Sequence, residues 1–221
     1  MYDEFTILAI SDIHGEMEGI RNLYELVGER HDVLLVLGDI TQFGDETRAR
    51  EILHSILKVS IDVLFIPGNC DPKVVHDVLV QEDISIHSRC REVGGYYFVG
   101  LGGSNRTPFD TPFEISEDRI WGLLEEITPF HTKKWFLATH APPKDTLADL
   151  TSDGRHVGSE SIRKIVRKGS PIINFCGHIH EAQSVDTIGD TKIVNVGSIS
   201  RGKAAEASVE EENVEVKLLE V

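Results

Sequence analysis

Seven side chains able to bind a metal stand at five places in this chain, each just after a short apolar run. Residues 5–10 (FTILAI) lead to Asp12 and His14, and residues 33–37 (VLLVL) lead to Asp39. Residues 62–66 (DVLFI) precede Asn69, residues 135–138 (WFLA) precede His140, and residues 171–176 (PIINFC) precede His178 and His180. Imidazole, carboxylate and amide oxygen without a thiolate set suit Mn²⁺, Fe, Ni²⁺, Co²⁺ or Zn²⁺ in five- or six-coordinate geometry, with Mn²⁺ the first expectation. Seven such ligands are too many for one ion that keeps room for a substrate. They fit two divalent ions sharing one carboxylate, an arrangement in which ions about 3.5–4 Å apart clamp the attacking and leaving oxygens.

Short runs rich in Val, Ile, Leu and Phe read as buried strands. In open α/β sheets ligands gather beyond the carboxyl ends of the strands, which puts all five places along one edge. Ile20, Leu23 and Val27 recur at helical spacing after the first place, and Ala49, Ile52, Leu53 and Ile56 after the second. The strand–helix–strand–helix–strand order over 5–66 predicts a parallel sheet with right-handed crossovers. A short helix is expected at 72–80, with strands at 84–88, 91–93 and 96–102. Ser116 and Ser159 read as N-caps of two more helices, burying Ile120, Leu123, Leu124 and Ile127 in one and Ile162, Ile165 and Val166 in the other. After Gly177 the segments 182–188, 191–196 and 213–221 read as hairpin-like strands around a tight turn at Gly189 and Asp190. The acidic stretch 204–213 (AAEASVEEEN) reads as a solvated turn. The fold class is therefore α/β, parallel in its first half and more antiparallel in its second. No linker or repeat divides it, so one domain over 1–221 is expected.

With 22 Lys+Arg against 37 Asp+Glu, the chain carries a net charge of −15. Such a field repels a long polyanion, which argues against extended nucleic acid and anionic membrane as partners. Small phosphate substrates are still admitted, because bound cations would make the site locally positive. Cys70, Cys90 and Cys176 are too few and too irregular for a disulfide framework or a zinc knuckle. No apolar stretch reaches membrane-spanning length and no signal-like segment is present, so a cytoplasmic location is expected.

Taken together, Asp12-Ile13-His14, Gly38-Asp39, Gly68-Asn69-Cys70-Asp71, His140 and Gly177-His178-Ile179-His180 resemble the motif series of the calcineurin-like metallophosphoesterase superfamily. The resemblance spans residues 12 to 180. It implies a four-layer α/β/β/α sandwich of two mixed sheets, with a dinuclear metal site at the carboxyl edge of the strands. It further implies that Asp12, His14 and His180 hold one metal, that Asn69, His140 and His178 hold the other, and that Asp39 bridges both. Asp39, Asn69 and His140 would then be catalytic, and a hydroxide shared by the ions would attack phosphorus in line without a covalent phosphoenzyme. Many members carry His where this chain has Cys70; that His is assigned to the leaving group or the phosphate, with Asp71 orienting it. The chain looks like the small prokaryotic GNCD members, which implies a phosphodiester substrate. A phosphomonoesterase or nucleotidase is the alternative within the enzymes, and a non-catalytic protein-binding scaffold is the alternative outside them.

Substrate contacts are expected from Asn105 and Arg106 in the glycine-rich loop 102–108, and from His156, a stand-in proton donor. Phe109 and Phe113 suit an interface between copies of the chain, a pocket wall or ordinary core. Residues 195–198 suit a brace behind the metal ligands. The remaining histidines, His31, His54, His76, His87 and His131, read as structural.

Overall fold

The computed structural model describes residues 4–27, 31–211 and 213–220. One sheet is built from β1 (Phe5–Ile10), β2 (Val33–Val36), β3 (Asp62–Phe65), β10 (Lys203–Glu210) and β11 (Asn213–Glu220), in the order β11-β10-β1-β2-β3. The other contains β4 (Arg89–Val93), β5 (Tyr96–Leu101), β6 (Trp135–Thr139), β7 (Ile173–Cys176), β8 (Ser184–Ile188) and β9 (Thr191–Asn195), in the order β4-β5-β6-β7-β9-β8. The strands β1, β2 and β3 run parallel, as do β5, β6, β7 and β9, while β10, β11, β4 and β8 add antiparallel pairs.

The strand period of two sorts each strand between two layers. Phe5, Ile7 and Ala9 of β1 face the second sheet, in a core shared with Phe98, Phe136 and Phe175. Leu8 and Ile10 face the other way, onto α1 (Met17–Leu26), α2 (Glu46–Ile56) and α3 (Lys73–Gln81). Val99, Trp135 and Leu137 of the second sheet similarly pack on α4 (Glu117–Ile127) and α5 (Glu160–Gly169). The layers are thus α/β/β/α, as the resemblance implies. Phe136 lies 5.0 Å from Phe98 and 6.3 Å from Phe175 between ring centroids, so truncating it to Ala would cost about 3–5 kcal/mol. Among the described residues no helix is long and apolar enough to cross a membrane.

Two local expectations are corrected and a third is narrowed. Residues 203–210 form β10 rather than a solvated turn: Ala204, Ala205 and Ala207 are small enough to be buried on both faces, and the one acid at the centre, Glu206, lies 2.9 Å from His31. Residues 84–88 form no strand; they cross from one sheet to the other, touching β3 at Phe65–Ser85 and β5 at His87–Gly100. Ser116 and Ser159 both stand at the N-cap positions expected, but only Ser159 makes the side-chain cap bond, accepting from Ile162 N at 3.2 Å. The carboxylate of Glu117 reaches across to Ser159 Oγ and Ser161 N instead, joining α4 to α5.

Candidate metal centre

The parallel ladder of β1 and β2 continues past both strands, through Asp12 N to Gly38 O at 3.0 Å and His14 N to Asp39 O at 2.8 Å. The two acid-bearing loops therefore leave the sheet side by side. Asp12, His14, Asp39 and His178 all adopt left-handed backbone, with φ of 58°, 51°, 48° and 68°. Non-glycine residues take that conformation at a cost of order 1 kcal/mol or more, and it persists where surrounding structure enforces it, as at functional sites. Two glycines allow the loops to close together. A Cβ on Gly68 would strike the backbone and carboxylate of Asp39, and one on Gly177 would strike Ser11 and Asp12.

All seven expected ligands meet at this edge. His14 Nε2 lies 3.1 Å from His180 Nε2 and 3.7 Å from Asp12 Oδ1, and His180 Nε2 lies 3.1 Å from the same oxygen. Ligands about 2.1 Å from a shared ion at right angles stand about 3.0 Å apart, so this group suits one cation. Among the described residues, the buried His14 Nδ1 has no hydrogen-bond partner, and the buried Asp12 Oδ1 faces only the imidazoles of His14 and His180. Beside them, His140 Nδ1 is 2.7 Å from Leu37 O, which can only accept, so Nδ1 carries a proton. Its Nε2 then points at Asn69 Oδ1 (2.9 Å) and Asp39 Oδ1 (3.5 Å), a convergence of acceptors that an imidazolium or a metal cation satisfies. The His178 ring sits 5.0 Å from that of His140. Asp39 lies between the groups, its other oxygen 3.8 Å from His14 Nε2. Asp12, His14 and His180 can hold one ion by their spacing, and Asp12, Asp39 and His140 form a second such group.

Charge agrees with that geometry. Burial pushes the carboxyls of Asp12 and Asp39 up, but the neighbouring imidazoles hold both below the usual carboxylate range. Burial likewise opposes a charged His140, yet Asp39, Asp12 and the Leu37 carbonyl keep it up at about 9. Burial and His140 push His178 down to about 4, which leaves a neutral, lone-pair imidazole.

Behind the ligands lies a hydrogen-bonded shell. Cys70 N donates to Asp39 Oδ1 at 2.7 Å, and Asn69 Nδ2 donates to Thr111 Oγ1 at 3.0 Å. Ser198 Oγ donates to Asp12 O at 2.9 Å, and Asn195 Nδ2 donates to the carbonyls of Ala148, Gly177 and Ile179, so residues 195–198 do brace the site. Asp71 is spent on backbone amides and the Thr41 hydroxyl rather than on its neighbour at position 70. Cys70 is buried, and burial, then Asp39, pushes its thiol well up.

The expected substrate contacts fare differently. The open cleft over the site is lined by His14, Asp39, Asn69, Cys70, His178 and His180, together with Phe43, Phe109, Thr111 and Arg201. Among the described residues, Asn105, Arg106 and His156 are not part of that lining. Asn105 Nδ2 donates to Val157 O at 3.1 Å, and His156 Nδ1 lies 2.7 Å from the buried Asp149, so both hold loop to loop. Arg106 is exposed outside the cleft. The cation that lines it, Arg201, escapes sequence reasoning because it follows no strand-end pattern. It sits on a short 3-10 turn, Ile199–Arg201, placed by Ile199 N donating to Ser11 O.

Comparison with known proteins bears on this arrangement. A protein of Methanocaldococcus jannaschii, itself uncharacterized, is 40% identical over 196 residues, covering 86% of each chain. A solved structure from Thermus thermophilus superposes with a TM-score of 0.72 at 16% identity, over 97% of this chain and 99% of that one. The phosphopantetheinyl hydrolase of Mycobacterium tuberculosis gives 0.61 at 17% identity, over 90% and 92%. At those identities the two structures show a common fold. The model of the calcineurin-like phosphoesterase family matches residues 5–182, from β1 through the last expected ligand, and the chain belongs to that family.

Proposed function

We propose that the chain is a dinuclear, metal-dependent phosphodiesterase acting on a small phosphate ester, with Mn²⁺ as the first metal to supply. The observation that carries this reading is the convergence of seven ligand-type side chains on one edge, around the buried Asp12 Oδ1 that faces His14 Nε2 and His180 Nε2. Asp12, His14 and His180 would hold one cation, Asn69, His140 and His178 the other, and Asp39 both. Two divalent ions held there would supply an acidified water nucleophile and Lewis-acid stabilisation of charge on phosphorus.

The rest falls to the chain. Cys70 N fixes one Asp39 oxygen, which leaves the other free to face the His14 side. Leu37 O sets the tautomer of His140, and Thr111 turns the Asn69 carboxamide so that its oxygen faces inward. Cys70 is a poor proton donor, its thiol raised by burial and by Asp39, which suits esters whose leaving group needs no strong acid. A cleft lined by Arg201 in a chain of net charge −15 also suits a singly charged diester better than a dianionic monoester.

The test compares bis(p-nitrophenyl) phosphate with p-nitrophenyl phosphate on Mn²⁺-loaded protein. The diester should give the higher kcat/KM. The reverse ratio would replace this reading by a phosphomonoesterase, and two bound metals with no turnover of either ester would replace it by a scaffold.

A further inference from the structure

Two phenylalanine rings stand in solvent where the candidate site opens. Phe109 is 80% exposed and Phe43 is 54% exposed, and both line the cleft of about 660 Å³ over the metal ligands. Folding gains little from rings left in water, although burying such a side chain is favourable. The backbone that carries each ring is nevertheless fixed. Phe43 adopts a left-handed φ of 56°, unfavourable for a bulky residue, and its backbone N donates to Cys70 O at 3.1 Å. Phe109 N donates to Thr107 Oγ1 at 3.1 Å, and the hydroxyls of Thr107 and Thr111 both donate to Glu114 Oε1, at 2.6 and 2.8 Å. Thr111 in turn receives Asn69 Nδ2. Both rings thus ride on loops anchored to the metal-bearing turns. Arg201 lines the same cleft and makes no ion pair among the described residues.

We infer that Phe43 and Phe109 receive a planar aromatic group of the substrate, a nucleobase or an aryl ring, while Arg201 meets a phosphoryl oxygen. This rests on the phosphoesterase reading and names the class of ester that the site selects. Clefts of this size take a ligand of nucleotide dimensions, and an aromatic surface accepts any planar ring with little demand for hydrogen bonds. Stacking on one such side chain changes affinity by roughly 5- to 150-fold.

The experiment is calorimetric titration of the Mn²⁺-loaded protein with adenosine 5′-monophosphate, phenyl phosphate and ribose 5-phosphate. The first two should bind at least about 5-fold tighter than the third. Phe109→Ala and Phe43→Ala should each narrow that ratio and leave ribose 5-phosphate unchanged, Phe109→Tyr should restore it, and Arg201→Gln should weaken all three. The ratio of adenosine 5′-monophosphate to phenyl phosphate tells a nucleobase pocket from a general aryl pocket. Equal affinities for all three, or a ratio indifferent to the phenylalanine variants, would overturn the inference and leave the phosphoesterase reading standing. Binding of none of them would also overturn the inference, while the phosphoesterase reading stands or falls on turnover of bis(p-nitrophenyl) phosphate. Sedimentation is the control: a dimer that Phe109→Ala dissociates would assign the ring to a subunit contact and overturn the inference.

Discussion

Asp71 binds Thr41 twice, its Oδ1 accepting the backbone N–H at 2.8 Å and the hydroxyl at 2.9 Å. Its Oδ2 accepts Gly68 N at 2.8 Å and Ile40 N at 3.1 Å. One buried carboxylate therefore ties the loop carrying Asp39 to the loop carrying Asn69. Burial, and then Asp39, pushes its carboxyl up to about 6, with the amide donors of Gly68, Thr41 and Ile40 opposing.

Replacing it tests that brace. In Asp71→Asn the new amide nitrogen must face a backbone donor, leaving buried N–H groups unsatisfied at about 1–3 kcal/mol. Urea denaturation of the metal-free protein should show the loss, and metal retention should weaken with it. An unchanged midpoint would mean that other bonds hold the two loops.

Asp39→Asn should be far more damaging to activity than to folding. The amide offers one oxygen where the proposed ions share a carboxylate, so metal analysis should find fewer than two equivalents per chain. Turnover of bis(p-nitrophenyl) phosphate should fall at least about a thousand-fold, the scale on which metal activation and charge stabilisation act. Normal activity in this variant would remove Asp39 from the centre of the mechanism.

Cys70→Ala should leave diesterase turnover within a few-fold of the parent. The thiol is held in its protonated form by burial and Asp39; its sulfur meets Asn69 Nδ2 only at 3.6 Å, and the shorter bond to Asp39 Oδ1 comes from the backbone N–H, which Ala retains. Complete loss of turnover with metals still bound would give the sulfur a chemical role.

His87 predicts an acid-side loss of stability. Burial, and then His76, pushes it down to about 3 from an ordinary value of 6.5. Because the folded value is depressed, the unfolded chain takes up the proton first. The stabilisation is therefore present above pH 6.5 and is lost as pH falls toward 3. His87→Asn can still accept from Gly102 N, as His87 Nδ1 does at 2.9 Å, and does not titrate in this range. Denaturation midpoints at pH 7 and pH 4 should differ less in the variant than in the parent; an equal difference would exclude His87 as the cause.

The metal edge was legible because each ligand follows a buried strand, and strands announce themselves by runs such as residues 33–37 and 135–138. Side-chain type and position in the linear chain sufficed to bring these seven side chains to one edge. Position alone failed for residues whose neighbours come from distant segments. Glu206 looks like surface until His31 is placed beside it, and Arg201 looks like a turn residue until Ile199 is bonded to Ser11. Asn105 and His156 carry suitable chemistry, but Val157 O engages Asn105 Nδ2, Asp149 engages His156 Nδ1, and neither residue lines the cleft. The segment 84–88 alternates like a strand, yet it spans the gap between two sheets, where no neighbour offers a continuous ladder.

The pairing of β1 with β10 has a consequence for how the molecule is made. Leu8 lies opposite Glu206, and Ser198 reaches back to the carbonyl of Asp12, so nearly the whole chain separates these partners. Contacts between such distant segments are the slowest to close. During synthesis Asp12 and His14 emerge well before β10, the second neighbour of the strand they follow. Asp12 and His14 are thus secured only after β10 has docked, and a nascent chain stopped short of β10 has no finished cradle around their side chains.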